Sequence, residues 1–183
     1  MRRFAILTAS LFAALPAYAA HWNVDPVTSQ LRFEGEQAGE KFEGSFPKFS
    51  STINFDEAAP EKGSMHIAIT TSAVQIDGKD RMDAWPTADW FAVKDYPFAE
   101  YTANSFKKTA EHQYVALGTL TIRGISKALA LPFTFKTVDK SAIATGEVTI
   151  NRKDFGVGQG RWASDEWVKY PVKISYSIRA TAQ

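Results

Sequence analysis

The stretch that decides the fold is YVALGTLTIRGISKALALPFTF, Tyr114 to Phe135. Tyr114, Leu120 and Ile122 share one parity, and Val115 and Leu117 share the other. After Arg123-Gly124 the alternation resumes at Leu129, Leu131, Phe133 and Phe135. A period of two places successive side chains on opposite faces, so each run reads as a strand with one wet face. The break at Arg123-Gly124 is turn-sized, which predicts an antiparallel hairpin. Pro132 lies inside the second run, and a proline there suggests an edge or bulge position.

The same period recurs on both sides of this hairpin. SQLRFEGE carries Leu31 and Phe33; FSSTINF carries Phe49, Ile53 and Phe55. SMHIAIT carries Met65, Ile67 and Ile69, and VKISYSIRA carries Val172, Ile174, Tyr176 and Ile178. Turn signals at Ala59 to Gly63, Lys107 to His112 and Val138 to Ser141 separate the runs. About eight strands in one domain predict a closed barrel or a sandwich. A barrel has no exposed edges, and at eight strands its interior either fills with side chains or holds one small ligand.

One segment breaks the pattern. DGKDRMDAWPTADWFAVKDYP, Asp77 to Pro97, is too long for a hairpin turn. Asp80 is a candidate cap for a short helix through about Trp85, and Thr87 for a second turn holding Trp90 and Phe91. An aromatic-rich insertion between strands reads as a lid over one end of the sheet.

The first 19 residues, MRRFAILTASLFAALPAYA, combine Arg2 and Arg3 with a short apolar run and an Ala17-Tyr18-Ala19 cleavage pattern. They read as a secretory signal peptide, with one domain over residues 20–183 and a periplasmic destination. Without Arg2 and Arg3, 19 Lys and Arg face 20 Asp and Glu. That balance argues against nucleic acid as a partner. The absence of cysteine excludes disulfides, thiol redox chemistry and thiolate metal sites.

Catalytic signals are missing. His21, His66 and His112 have no metal-ligand spacing, so no metal is expected. No Gly-x-Ser-x-Gly elbow occurs, and Asp25, Asp89 and Asp154 read as turn or cap residues. In RKDFGVGQGRWASDEW, Arg152 to Trp167, the spacing of Gly156, Gly158 and Gly160 misses the dinucleotide fingerprint. These glycines read as a backbone need, a bend or a close approach. The stretch is expected to be a strand carrying Arg152 and Phe155, then a loop that brings Trp162 to one rim. No cofactor and no catalytic residue are expected.

Aromatic content is the informative feature, with 13 Phe, 5 Trp and 6 Tyr in 183 residues. Phe42, Phe46, Phe49, Phe133 and Phe135 are candidates for one apolar interior, with Trp85, Trp90 and Phe91 at its mouth. Periodicity alone leaves a packed core and a cavity equally open.

Four landmarks add a resemblance. WNVDPVTSQLRF, ADWFAVKDYPFAEYTANSF, LGTLTIRGISKALALPFTF and INRKDFGVGQG resemble the YceI-like family in content and order, from Trp22 to about Ala180. The resemblance implies an all-β fold: an eight-stranded antiparallel, lipocalin-like barrel with a short helical insertion. It also implies a tunnel for polyisoprenoid or similar amphiphilic lipids, quinone-type tails included. The Asp-Trp-Phe and FGVGQGRW variants look like a branch found beside or fused to cytochrome b561-type membrane proteins, which implies a membrane cytochrome partner. Many relatives carry His-Leu where this chain has Ala84-Trp85, and His where it has Arg123.

The expected role is therefore a lipid carrier or sequestering module. The alternative is an enzyme or redox accessory acting on an isoprenoid or quinone-type lipid. The oligomeric state, a homodimer among the options, is left open. A ten-residue strand spans about 33 Å, and a tilt of roughly 40° leaves about 25 Å along the axis. Such a tunnel takes a chain of about 10–20 carbons, worth roughly 8–16 kcal/mol gross at about 0.8 kcal/mol per methylene. Association costs about 4–15 kcal/mol, so only a long tail binds firmly. Arg123 and Arg152 are the candidate head-group contacts, since an Arg fork suits phosphate or carbonyl oxygens. A salt bridge from Arg152 to Asp154 is the competing reading. Phe155 and Trp162 are candidate aromatic walls.

Overall fold

The computed structural model describes residues 20–183; the expected signal peptide lies outside the described residues. Eleven strand segments follow in order. They are β1 (Ala20–Val24), β2 (Gln30–Gln37), β3 (Glu40–Ser45), β4 (Phe49–Phe55), β5 (Ser64–Thr70) and β6 (Gln75–Ile76). After helix α1 (Lys79–Ala84) come β7 (Phe98–Ala110), β8 (Gln113–Ile122), β9 (Ile125–Val138), β10 (Ser141–Asn151) and β11 (Pro171–Ala182).

Three pairs of segments share one place each in the sheet. β1 and β2 both pair with β11, at Ala180–Ala182 and Lys173–Ser177 respectively. β3 continues the line of β4, and β6 that of β5, because β3 pairs with β2 and β6 while β4 pairs with β1 and β5. Eight positions result, each antiparallel to its sequence neighbour, and the β1–β11 ladder closes the ring. The expected eight-stranded antiparallel barrel is the observed fold.

The three interruptions have local causes. At Asp25 the carboxylate accepts from the Val27 amide (2.9 Å) and the Thr28 hydroxyl (2.7 Å), an Asx turn that diverts the backbone from its ladder. Between β3 and β4 stands Pro47, which has no N–H for a ladder. Between β5 and β6 a 3₁₀ turn covers Thr71–Ala73. Its Thr71 hydroxyl lies 2.9 Å from both the Tyr96 and Pro97 carbonyls, which ties the end of the insertion to the barrel.

β8 and β9 form the hairpin read from the sequence, with Ile122 opposite Ile125. Arg123 (φ 52°) and Gly124 (φ 71°) both sit at positive φ, as a two-residue hairpin turn of the right twist requires. Pro132 faces Val115 on β8. On its other side the β9–β10 ladder runs only from Val138 to Thr134 and stops short of Pro132. Beyond that point the Tyr176 hydroxyl of β11 donates to the Pro132 carbonyl at 2.5 Å. It passes Gly146 of β10, where a Cβ would collide with both groups. Tyr176 therefore fastens β9 to β11 where the ladder no longer does.

The parity read from the sequence holds. Phe49, Ile53, Phe55, Met65, Ile67, Ile69, Leu129, Leu131, Phe133 and Phe135 all face the interior. Leu117, on the opposite parity of β8, is 49% exposed.

The helical insertion differs from expectation in its caps. α1 begins after Gly78, at φ 87°, with no side-chain cap bond, and Asp80 lies in its first turn. The left-handed φ favours glycine there, whereas an Asp cap would need an extended backbone. The Thr87 hydroxyl donates back to the Ala84 carbonyl (2.6 Å) and so closes the end of α1 rather than opening a second helix.

Candidate functional site

The barrel interior is hollow. One cavity of about 400 Å³ lies under the insertion. A second, of about 150 Å³, lies toward the other end and presents no polar surface. Leu31, Ile69, Leu120 and Ile174 line both, so the two lobes adjoin across these side chains.

The upper lobe gathers Phe42, Phe46, Trp85, Trp90, Phe91, Arg152 and Trp162. The lower lobe gathers Phe49, Phe133 and Phe135. Arg123 and Phe155, the other two candidates, line neither. Phe155 is 3% exposed and belongs to the packed core. Arg123 donates through Nη1 to the Ala88 carbonyl at 2.8 Å and to the Trp90 carbonyl, so it ties the insertion to the β8–β9 turn.

Trp85 is the centre of the upper wall. It stacks on Phe91 with centroids 3.8 Å apart and planes 12° apart. Phe33 and Phe46 lie at 5.5 and 5.7 Å, and the Trp85 indole N–H donates to the Thr71 carbonyl at 3.0 Å. In the lower half Phe55 meets Phe106, Tyr114, Phe133 and Phe135 edge to face at 4.9–5.7 Å. Such pairs contribute about 0.5–1.5 kcal/mol each beyond burial, so the walls are rigid rather than fluid.

The segment after β10 departs from the sequence reading. Arg152–Phe155 is a 3₁₀ turn rather than a strand. The Asn151 side chain accepts from the Lys153 amide at 2.9 Å, and that bond turns the chain off the sheet. Gly156 (φ 63°) ends the turn in the left-handed region. Gly158 combines φ 80° with a close approach, since a Cβ there would overlap the Arg152 guanidinium.

Arg152 itself is 3% exposed. Nε donates to Lys169 (3.1 Å) and Nη1 to Val157 (2.8 Å) and Gly158 (3.4 Å). Nη2 donates to Trp162, Ser164 and Val168 at 2.9, 2.8 and 2.7 Å. All six partners are main-chain carbonyls. The competing reading, an ion pair with Asp154, is not formed, and the loop from Val157 to Lys169 is wrapped around the guanidinium. Burial lowers its pKa, the direction expected for a desolvated cation.

The sequence reading missed the polar rim. Gln37, Asp80, Arg81, Arg161 and Lys169 all border the upper lobe. Arg81 lies 4.7 Å over the Phe42 ring, with Nε on the Gln37 side-chain oxygen (2.7 Å) and Nη1 on the Asp77 carbonyl (2.8 Å). The signal for Arg81 was its place four residues before Trp85, which puts both on one helix face. Among the described residues no three His, Asp or Glu side chains gather as a metal site.

The architecture is a closed antiparallel β-barrel around an apolar interior, with the charged lining residues gathered at one end. A YceI-like domain model matches residues 22–180, and the chain belongs to that family. It is 27% identical over 160 residues to a UPF0312 protein of Pseudomonas savastanoi pv. phaseolicola, covering 82% of this chain and 83% of that one. The crystal structure of BcnA from Burkholderia cenocepacia is similar with TM-score 0.83 and 29% identity, over 87% of this chain and 100% of that one. A polyisoprenoid-binding domain from Saccharophagus degradans, implicated in plant cell wall breakdown, shares the fold. Its TM-score is 0.69 at 11% identity, over 90% of this chain and 99% of that one.

Proposed function

We propose that this chain holds one long-chain isoprenoid, or a comparable amphiphilic lipid, inside its barrel. It acts as a periplasmic carrier or sequestering module rather than as an enzyme. The observation that carries this reading is the hollow interior, two adjoining lobes of which the lower is apolar throughout and only the upper is bordered by polar side chains. A chain with one polar end matches that gradient. Burial of each methylene returns about 0.8 kcal/mol against an association cost of about 4–15 kcal/mol, so affinity rises steeply with tail length. The periplasmic location is supported by the signal-like residues 1–19.

Native mass spectrometry of protein taken from its own host by gentle extraction tests the reading. The expected result is a single adduct of one long-chain lipid, or uptake of one equivalent of a C20 or longer prenyl alcohol after delipidation. Protein that carries no adduct and takes up no prenyl compound would refute it. A second check uses Ala144, in the lower lobe. Ala144→Phe should cost about 1–3 kcal/mol of stability by overpacking, and should weaken binding of long tails more than of short ones.

A further inference from the structure

The end of the barrel away from the insertion is closed by rings. Phe55 is the last residue of β4, Tyr114 the second of β8, and Trp22 lies opposite Ala182 at the end of β11. Trp22, Phe55, Phe106, Phe133 and Phe135 line the lower lobe there, and Tyr114 packs with them. Two bonds anchor this plug. The Trp22 indole N–H donates to the Phe55 carbonyl at 3.0 Å, and the Tyr114 hydroxyl to the Glu57 carboxylate at 2.8 Å. The 3₁₀ turn Pro60–Lys62 ends at Gly63, whose backbone lies against the Phe106 ring; a Cβ there would come within 2.6 Å of it.

The rings also hold one another. Trp22 meets Phe135 edge to face at 5.4 Å, while Phe133 stacks on Tyr114 at 5.6 Å and stands edge-on to Phe106 at 5.9 Å. Interlocked rings in a close-packed interior have little room to turn. The passage above them differs. Leu31, Ile69, Leu120 and Ile174, across which the two lobes adjoin, are aliphatic side chains with several staggered rotamers open to them. Within the plug Phe133 is only partly buried, and the other five rings are buried. Of the rings that line the lobe, it has the most surface left to meet a ligand.

We propose that the aromatic plug is a length stop for the bound tail, and that Phe133 is the residue the end of the tail meets. This rests on the lipid-binding reading above and adds selection by tail length to it. A tail enters between the aliphatic side chains, fills the lower lobe and halts at the rings. A built-in clash discriminates by excluding the wrong partner, here a tail one unit too long. The excess unit stays in water at the mouth and forfeits the burial it had in a bilayer.

The test offers delipidated protein a series of all-trans prenyl alcohols, C10 to C55 in five-carbon steps, each carried in phosphatidylcholine vesicles. Native mass spectrometry reads how much of each the protein extracts. Wild type should show an upper limit, past which each added unit lowers extraction by about tenfold or more. Phe133→Ala removes a six-carbon ring and leaves apolar space of that size, so the limit should move up by one five-carbon unit. Phe133→Leu, a milder truncation that keeps the strand's burial, should relax the penalty on the first excess unit, and it decides the matter if the alanine variant does not fold. A merely structural role for Phe133 would weaken all lengths alike and leave the limit in place. Extraction with no upper limit, or one limit shared by wild type and the folded variants, would overturn this inference and leave the lipid reading intact. Wild-type protein that extracts no prenyl alcohol of any length would overturn both.

Discussion

Arg152 binds six carbonyls of its own loop, so its replacement leaves buried acceptors without donors. Arg152→Lys should destabilise the protein by about 3 kcal/mol or more, because one ammonium cannot reach carbonyls spread over Val157 to Lys169. A drop in the urea midpoint with an unchanged m-value checks this. A smaller change at Tyr176 follows the same logic. Tyr176→Phe removes the bond to the Pro132 carbonyl and should cost about 1 kcal/mol, read from the same urea curves. Both residues were visible in the sequence, but their partners were not. An arginine beside an aspartate suggests an ion pair, since side chains are what a sequence lists. Main-chain carbonyls belong to every residue and leave no mark in the pattern. The same reason hid the role of Arg123, whose neighbours across the turn are carbonyls of a segment some 35 residues away.

At the scale of elements, the insertion is a packed part of the barrel wall rather than a loose cover. Trp85 and Phe91 are 7% and 9% exposed, and Trp85 is bonded to the β5–β6 turn. Trp85→Ala should therefore cost about 3–5 kcal/mol, and should lower thermal stability even in empty protein. A melt of the delipidated variant against delipidated wild type checks this, since a mere lid would leave the empty melt unmoved. The insertion was legible as aromatic and partly helical; its boundaries were not. α1 is only six residues long, and its start is set by the left-handed Gly78, which outweighed the Asp80 signal. Strand parity was legible in the six runs that alternate, because burial on one face imposes it residue by residue. The change from strand to 3₁₀ turn at Arg152 was not, since Asn151 redirects the chain through a single local bond.

For the molecule as a whole, three phenols set its behaviour in alkali. Burial pushes Tyr101 and Tyr114 up to about 12, the latter helped by the Glu57 carboxylate, and raises Tyr176 also. Phenols of the unfolded chain ionise near 10. Below about pH 10 both states keep the proton and stability is unaffected. From about pH 10 to 12 the unfolded chain loses protons that the folded chain retains, so stability falls by up to about 1.4 kcal/mol per pH unit per tyrosine. Urea midpoints measured from pH 9 to 12, alongside phenolate absorbance, check the sign and the onset. The approximate number of ring positions was legible from six alternating runs and the length of the domain; that three positions are broken was not, although the inward-facing parity changes at each break, from Trp22 to Leu31, from Phe42 to Phe49 and from Ile69 to Ile76. The ring is completed only by β11, which lies against β10 on one edge and against β1 and β2 on the other. A chain made from its N-terminus thus carries β1 and β2 without their neighbour until Pro171–Ala182 has emerged. The barrel cannot close around a lipid before the last strand is synthesised, and loss of those twelve residues would leave an open, sticky half-cylinder rather than a smaller version of the same container.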